Sequence, residues 1–138
     1  MYSIGELARR TGVKIPTIRY YEQMGLMEPP ERSSGNQRRY TQHGLERLSF
    51  IRHARQLGLS IEDIRELVDL SQRPERPCHE AHQIAARHLE NLQARIAKLK
   101  KLEKELKRIT GGSDTGQVGA CHVIRALADH SLCDGDHG

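Results

Sequence analysis

The sequence predicts a mainly α-helical chain, with a cluster of short helices followed by one long helix and a short polar tail. Two observations predict this fold class. Serine or threonine residues stand just before apolar residues that recur at helical spacing, which is how helices commonly begin. Between residues 78 and 110 the apolar residues recur every three or four positions. Only 4% of the residues are aromatic, so we expect part of the apolar surface to be buried between two chains.

The first two helices are short and joined by a tight turn. Ser3 opens the first helix, with Glu6 three residues later as in a capping box, and Gly12 ends it. Pro16 lies where a second helix can begin, because its missing N–H would be unpaired there in any case. Gly25 ends this second helix. Two short helices joined by a glycine-containing turn predict a helix-turn-helix.

Residues 28–40 lack helical periodicity and predict a small wing. Pro29 and Pro30 interrupt the chain, and residues 34–36 have the composition of a turn. An extended arm on each side of this turn would form a two-stranded hairpin. Thr41 then opens a third helix that ends at Gly58, and Ser60 opens a fourth.

A long helix is predicted from about Cys78 to Thr110. Its apolar residues step by 4, 3, 4 and 3 and continue after one slip of three, which is the pattern of a coiled-coil seam with a stammer. The seam consists of Ala85, Leu89, Leu92, Ile96, Leu99, Leu102, Leu106 and Ile109. A single helix with one apolar stripe needs a partner, and we expect an antiparallel homodimer. A short helix over 120–127 and a polar tail follow.

The predicted organisation therefore has three parts: residues 1–72, residues 73–110 with a linker and the dimerisation helix, and residues 111–138. Charge separates the first part from the rest. Residues 1–58 carry 10 basic and 5 acidic side chains, whereas residues 59–138 carry 12 and 13. This asymmetry favours a polyanionic partner for the N-terminal part.

Cysteine usage and the lack of long apolar runs indicate a cytoplasmic protein without a membrane segment. The chain has three cysteines, Cys78, Cys121 and Cys133. An odd number in a reducing compartment argues against a disulfide framework and favours free thiols or metal thiolates.

Several motifs resemble those of the MerR family of bacterial regulators, over about residues 1–110. They are Ile4-Gly5-Glu6-Leu7-Ala8, Thr17-Ile18-Arg19-Tyr20-Tyr21-Glu22, Gly25-Leu26, Arg38 with Tyr40, the stretch 48–58 and Ser60-Ile61-Glu62-Asp63-Ile64. The long helix with a short cysteine-bearing tail resembles the metal-responsive branch. One departure lies in the wing, where relatives usually carry tyrosine in place of Gln37.

The resemblance implies a winged helix-turn-helix DNA-binding transcription regulator and not an enzyme. Its second helix should enter the major groove of double-stranded DNA while the wing grips the backbone further out. The residues expected to contact DNA are Lys14, Thr17, Arg19 and Tyr20 on the helix, and Arg32, Arg38 and Tyr40 on the wing. Tyr20 should face outward and Tyr21 into the core.

A homodimer with two such helices implies a two-fold symmetric site in the spacer of a promoter. The spacers that relatives bind are too long, and bending and untwisting them realigns the elements that RNA polymerase reads. We expect the same activation by promoter distortion here, controlling heavy-metal efflux or resistance genes.

The thiols predict a metal site in the C-terminal part. In an antiparallel pair, Cys78 of one chain lies near the short helix of the other, so it can meet Cys121 across the interface. The resemblance associates a cysteine at the position of Cys78 with divalent ions such as zinc, cadmium, lead or mercury. A further thiolate adds charge and a donor that such ions require.

A second departure concerns the loop at 111–114, which lacks the cysteine that relatives usually have there. The candidate replacement donors are His122, Asp114 and, in the tail, His130, Cys133 and His137. His82, which lies one helical turn from Cys78, could join that thiol. A mixed sulfur and nitrogen set favours zinc over the all-thiolate preferences of mercury or lead.

One alternative keeps the scaffold but changes the signal: a redox or electrophile sensor would use Cys78, Cys121 or Cys133 as a reactive thiol. An enzyme is disfavoured, because the adjacent Cys121 and His122 would diverge on a helix and no base or substrate pocket is indicated.

Overall fold

A computed structural model of the chain describes residues 1–32, 34–35, 37–112 and 114–128. The predicted mainly helical fold is confirmed. The helices are α1 (Ile4–Thr11), α2 (Ile15–Gln23), α3 (Gln42–Gln56), α4 (Ile61–Ser71), α5 (His79–Thr110) and α6 (His122–Ala128), and the strands are β1 (Glu31–Arg32) and β2 (Arg38–Arg39). The chain divides into two compact units, Met1–Ile84 and a second unit that begins at Ala85. The three-part division of the sequence remains a prediction.

Three helices of the first unit begin at the side-chain caps that the sequence predicted. Ser3, Thr41 and Ser60 each accept a hydrogen bond from the backbone N–H three residues ahead, at 3.1, 3.2 and 3.1 Å. Each cap satisfies a donor that the first turn of a helix would otherwise leave unpaired. Gly12 follows α1 at a φ of 75°, which directs the chain into the turn before α2.

The first unit has one hydrophobic core, to which helices α1 to α4 and Ile84 of α5 contribute. Its largest fully buried side chains are Leu7, Ile18, Leu26, Leu48, Ile51 and Ile64. Ile18 anchors the buried face of α2 in this core, so the opposite face of the same helix is free for another molecule.

Three arginines of α3 stabilise the ends of neighbouring segments. Arg47, Arg52 and Arg55 each donate a hydrogen bond to a backbone carbonyl. The acceptors are Leu26, Thr11 and Leu59, at 3.4, 2.6 and 2.8 Å. Thr11 is the last residue of α1, and cations stabilise carbonyls at helix C-termini because those groups lack partners within the helix. Part of the positive charge that the sequence places in residues 1–58 is therefore structural.

The wing is a two-stranded antiparallel hairpin in which Arg32 lies opposite Arg38. Tyr2 adds a bridge beside it, through two backbone hydrogen bonds of 2.7 and 2.8 Å with Tyr40. The residue that precedes the α1 cap is thereby fixed to the base of the wing.

The second unit differs in that it leaves most of its apolar seam exposed. Five seam residues are between 40% and 63% exposed: Leu89, Leu92, Ile96, Leu99 and Leu106. Ile109, Ala126 and Glu105 are buried. The last helix begins at His122, two residues later than predicted, after a single 3-10 turn over Val118–Ala120. Across the described residues, no helix is both long enough and apolar enough to cross a membrane.

Candidate nucleic-acid interface and thiol sites

The exposed face of α2 carries two of the side chains predicted to contact DNA. Arg19 and Tyr20 are exposed, and Tyr20 presents 47% of its surface. Tyr21, the next residue, is only 7% exposed, so the prediction that one tyrosine faces out and the other into the core is confirmed. Lys14 is exposed immediately before the helix, whereas Thr17 in its first turn is half-buried.

Arginines from the helix and the wing line one groove of the first unit. Arg19 comes from α2, and Arg32 and Arg38 come from opposite strands of the wing. Ser3, Ile4 and Gln37 complete the lining. Guanidinium groups offer several N–H donors in a fixed fork that matches phosphate oxygens, so this groove suits the backbone of a nucleic acid.

Arg38 has a partner inside the protein. Its Nη1 lies 3.6 Å from Oε2 of Glu22, and the side chain is only 29% exposed. Arg32 and Arg39 lie beside it on the wing, exposed and half-buried respectively. Arg38 is therefore less exposed than Arg19 and Arg32.

Tyr40 corrects one prediction. It was expected to grip the DNA backbone, but its side chain is 2% exposed and its hydroxyl donates a hydrogen bond to Oε1 of Glu22. Burial, reinforced by the hydrogen bond and the negative charge of Glu22, raises the pKa of Tyr40 well above its usual value. A hydroxyl that is buried and engaged in this way cannot bind a phosphate.

A local signal could have identified Tyr40 as a core residue. It directly precedes Thr41, the cap of α3, and an apolar residue at that position commonly packs against the first turns of the helix. Glu22 was missed as well. No local pattern marks Glu22 as a site residue, because its two partners, Tyr40 and Arg38, are distant along the chain.

Cys78 is an exposed free thiol at the start of α5. It lines an apolar pocket of the first unit with Phe50, Leu67 and Leu70. His82 is exposed, and its backbone N–H donates to the Cys78 carbonyl at 3.1 Å, so the two residues are one helical turn apart as predicted.

Cys121 belongs to the second unit, where it is a half-buried free thiol directly before α6. His122 lies against Gly112: a Cβ built at Gly112 would be 3.1 Å from the His122 Cβ and 3.3 Å from its Cγ. The imidazole is thereby brought to the beginning of the loop, the stretch in which relatives usually carry a thiol. Asp114 is exposed in the same loop.

The metal ligands predicted from the sequence are not assembled within one chain. Among residues 1–32, 34–35, 37–112 and 114–128, no three histidine, cysteine, aspartate or glutamate side chains come together in a way that could hold an ion. Cys133, the remaining predicted ligand, lies outside the described residues.

The helix-turn-helix, the hairpin and the arginine-lined groove between them define a winged helix-turn-helix DNA-binding protein. The chain matches the family described as "MerR HTH family regulatory protein" over residues 2–71, and "MerR, DNA binding" over residues 45–109. It belongs to the MerR family of transcription regulators, and it is a DNA-binding regulator rather than an enzyme. Members of this family bind promoter DNA and function as dimers.

Individual relatives are similar over nearly the whole chain. The HTH-type transcriptional regulator ZntR of Escherichia coli (strain K12) is 47% identical over 131 residues, which is 92% of either chain. Heavy metal-dependent transcription regulator 2 of Rhizobium meliloti (strain 1021) is 33% identical and is matched over 94% of this chain and 88% of that protein. Among solved structures, the regulator PbrR691 from Ralstonia metallidurans CH34 in complex with lead(II) has a TM-score of 0.81 at 34% identity, over 92% of this chain and 99% of that chain.

Proposed function

We propose that this chain is a metal-responsive activator of heavy-metal efflux or resistance genes, and that its signal is a divalent ion, zinc ahead of cadmium, lead or mercury. The observation that carries this proposal is the pair of free thiols, Cys78 and Cys121, each at the beginning of a helix. A relative named as heavy metal-dependent and a similar structure in complex with lead(II) support it.

The donor set suits a borderline divalent ion. Cys78 of one protomer and Cys121 of its partner would supply two thiolates, and His122 beside Cys121 would supply an imidazole. Zinc accepts mixed sulfur and nitrogen ligands in tetrahedral sites, which is the basis for placing it first. Asp114, His82 and Cys133 are further candidate donors.

The proposed site requires a homodimer, and the exposed seam of α5 supports one. Isolated leucine and isoleucine side chains at the surface are common, but five at coiled-coil spacing along one helix form a stripe. We propose that a second copy covers this stripe in the antiparallel sense, which would bring the start of α5 in one chain toward α6 of the other.

The proposed mechanism is activation by promoter distortion. Two recognition helices and two wings held by one dimer would bind a two-fold symmetric spacer and bend it. Bending a site of this size costs about 1–6 kcal/mol. A bound ion changes the outcome only if it binds one arrangement of the two DNA-binding units more tightly than another. Cys78 of one protomer and Cys121 of its partner would provide this coupling, because they would hold the same ion. RNA polymerase would read the realigned promoter.

A titration of promoter activation with a panel of ions tests the proposal. We expect Cys78→Ser and Cys121→Ser to abolish the response while DNA binding survives, and Cys133→Ser to weaken it. His79→Ala is the matched control, because it removes an exposed side chain next to Cys78 and should leave the response intact. A normal response in Cys121→Ser would refute the proposed site.

The second candidate is a thiol-based redox or electrophile sensor on the same scaffold. It is favoured by the exposure of Cys78 beside an apolar pocket, where a small electrophile could bind. Metal content per dimer and thiol reactivity, measured on the same reduced protein, separate the two candidates. Rapid oxidation of one cysteine without retained zinc or cadmium would favour the redox sensor.

A further inference from the structure

One carboxylate connects the recognition helix to the wing. Glu22 lies in the last turn of α2, and its side chain is only 11% exposed. The hydroxyl of Tyr40 donates a hydrogen bond to Oε1, while Nη1 of Arg38 lies 3.6 Å from Oε2. The two oxygens of this carboxylate thus contact different side chains, one from β2 and one from the residue directly after it.

The placement of Glu22 is energetically demanding. A carboxylate that is largely removed from water destabilises the fold unless hydrogen bonds and opposite charge compensate for its lost hydration. Tyr40 and Arg38 supply that compensation only if the wing stays close to α2. The ionised carboxylate therefore favours one position of β2 against the helix.

Of Glu22, Tyr40 and Arg38, Arg38 is the residue that lines the groove. It lines the groove together with Arg19 and Arg32. Glu22 follows Arg19 by three positions in α2, so both lie on the same side of the helix. By holding Arg38, Glu22 keeps the arginines of the wing beside the arginine of the helix.

We propose that Glu22 is a positioning residue for DNA binding: it couples Tyr40 and Arg38 to α2, so that the wing and the recognition helix engage one duplex as a single rigid surface. Glu22 itself is not a DNA ligand, since its charge would be repelled by phosphates. The inference rests on DNA binding by the first unit and is independent of the metal response.

The test uses the full chain without added metal and a duplex that the unaltered protein has selected from a randomised pool. Glu22→Gln has nearly the same shape and keeps an acceptor for the Tyr40 hydroxyl, but it removes the charge that holds Arg38. We expect the affinity to fall about tenfold, because without the ion pair at 3.6 Å Arg38 is no longer held beside the groove. A plot of log K against log salt should become shallower by about one unit per protomer, because about one phosphate contact per protomer is lost.

A matched control removes a carboxylate elsewhere in the same unit. Glu66 is exposed on α4, and Glu66→Gln should leave affinity, salt slope and footprint unchanged. A loss of affinity equal to that of Glu22→Gln would show that net charge alone is responsible, and it would overturn the proposal.

Two further readouts distinguish positioning from general stabilisation. Hydroxyl-radical footprinting of Glu22→Gln should show weaker protection at the outer flanks, where the wings bind, and unchanged protection where the helices bind. The ultraviolet absorbance of tyrosinate should show a lower pKa for Tyr40 in this variant, because its hydrogen bond to a charged Glu22 contributes to the raised value. That shift would establish that the contact forms in solution.

Tyr40→Phe provides a second variant if Glu22→Gln does not fold. It removes a single hydroxyl and should lower the affinity about threefold, again with the loss confined to the outer flanks. Unchanged affinity and intact outer protection in either folded variant would overturn the proposal. Uniform loss of protection together with a lower melting temperature would also overturn it, since that result indicates a purely structural role.

Discussion

The two units of this chain differ in how far their apolar side chains are buried. In Met1–Ile84 most of the large apolar side chains form one core, with Leu7, Leu48 and Ile64 fully buried, although Phe50 and Leu57 are exposed. In the unit that begins at Ala85, leucines along α5 remain exposed, and Leu99 presents 63% of its surface. The first unit therefore has a core within a single chain, whereas the second has the surface of a protein that needs a partner.

The largest expected effect is on dimer formation, and it follows from a charged substitution in the exposed seam of α5. Leu99→Asp would place a charge where we propose that a second chain covers α5, and burying an unpaired charge costs several kcal/mol. We expect the dimer to dissociate at least about a hundredfold more readily and operator binding to be lost. Sedimentation analysis and a DNA-binding titration measure the two effects.

Lys101→Asp is the matched control, because Lys101 is exposed on the outer face of the same helix. It should leave the dimer intact. A dimer that tolerates Leu99→Asp as well as it tolerates Lys101→Asp would show that the seam is not the interface.

A substitution in the core of the first unit provides a second test of the difference in burial between the two units. Leu48 is fully buried in the first unit, so Leu48→Ala should lower the free energy of unfolding by about 2–5 kcal/mol. Leu99→Ala deletes the same number of atoms from an exposed position and should leave the thermal unfolding of the first unit unchanged. Calorimetry at several protein concentrations measures both variants. Equal destabilisation at every concentration would contradict the distinction between a closed core and a shared one.

The fold was predictable where its signals are local. Ser3, Thr41 and Ser60 cap helices through hydrogen bonds that span three residues, so the sequence alone reveals them. The wing was predictable for a similar reason, since a turn composition between two extended arms gives a hairpin.

The site was predictable only in part, because some of its contacts are distant in sequence. Tyr40 and Glu22 are 18 residues apart, and no pattern within either segment indicates that they meet. Arg52 and Thr11 are separated by 41 residues, so no local pattern indicates that this arginine is structural. The ligation of a metal by Cys78 and Cys121 stays a prediction, because it depends on a second chain.

A substitution in the turn of the helix-turn-helix should have a smaller effect on the stability of the first unit. Gly12 has a φ of 75°, and an added Cβ would lie 2.9 Å from the guanidinium of Arg52. Gly12→Ala should therefore destabilise the first unit by about 1–2 kcal/mol through backbone strain and displacement of Arg52. Denaturant unfolding measures the loss. In the background of Arg52→Ala the same substitution should cost less, and equal costs in both backgrounds would exclude a role for Arg52.

The smallest predicted effect concerns alkaline pH. The pKa of Tyr40 is raised in the folded state, so folding favours its neutral form. Its contribution to stability is complete below the ordinary tyrosine pKa of about 10, and it is lost as pH rises toward the folded value, because only the unfolded chain then ionises. At about pH 11 this loss amounts to roughly 1 kcal/mol. Tyr40→Phe removes it, so the variant should lose less stability than the unaltered chain between neutral and alkaline pH. Parallel pH profiles of the two proteins would show that folding does not raise the pKa of Tyr40.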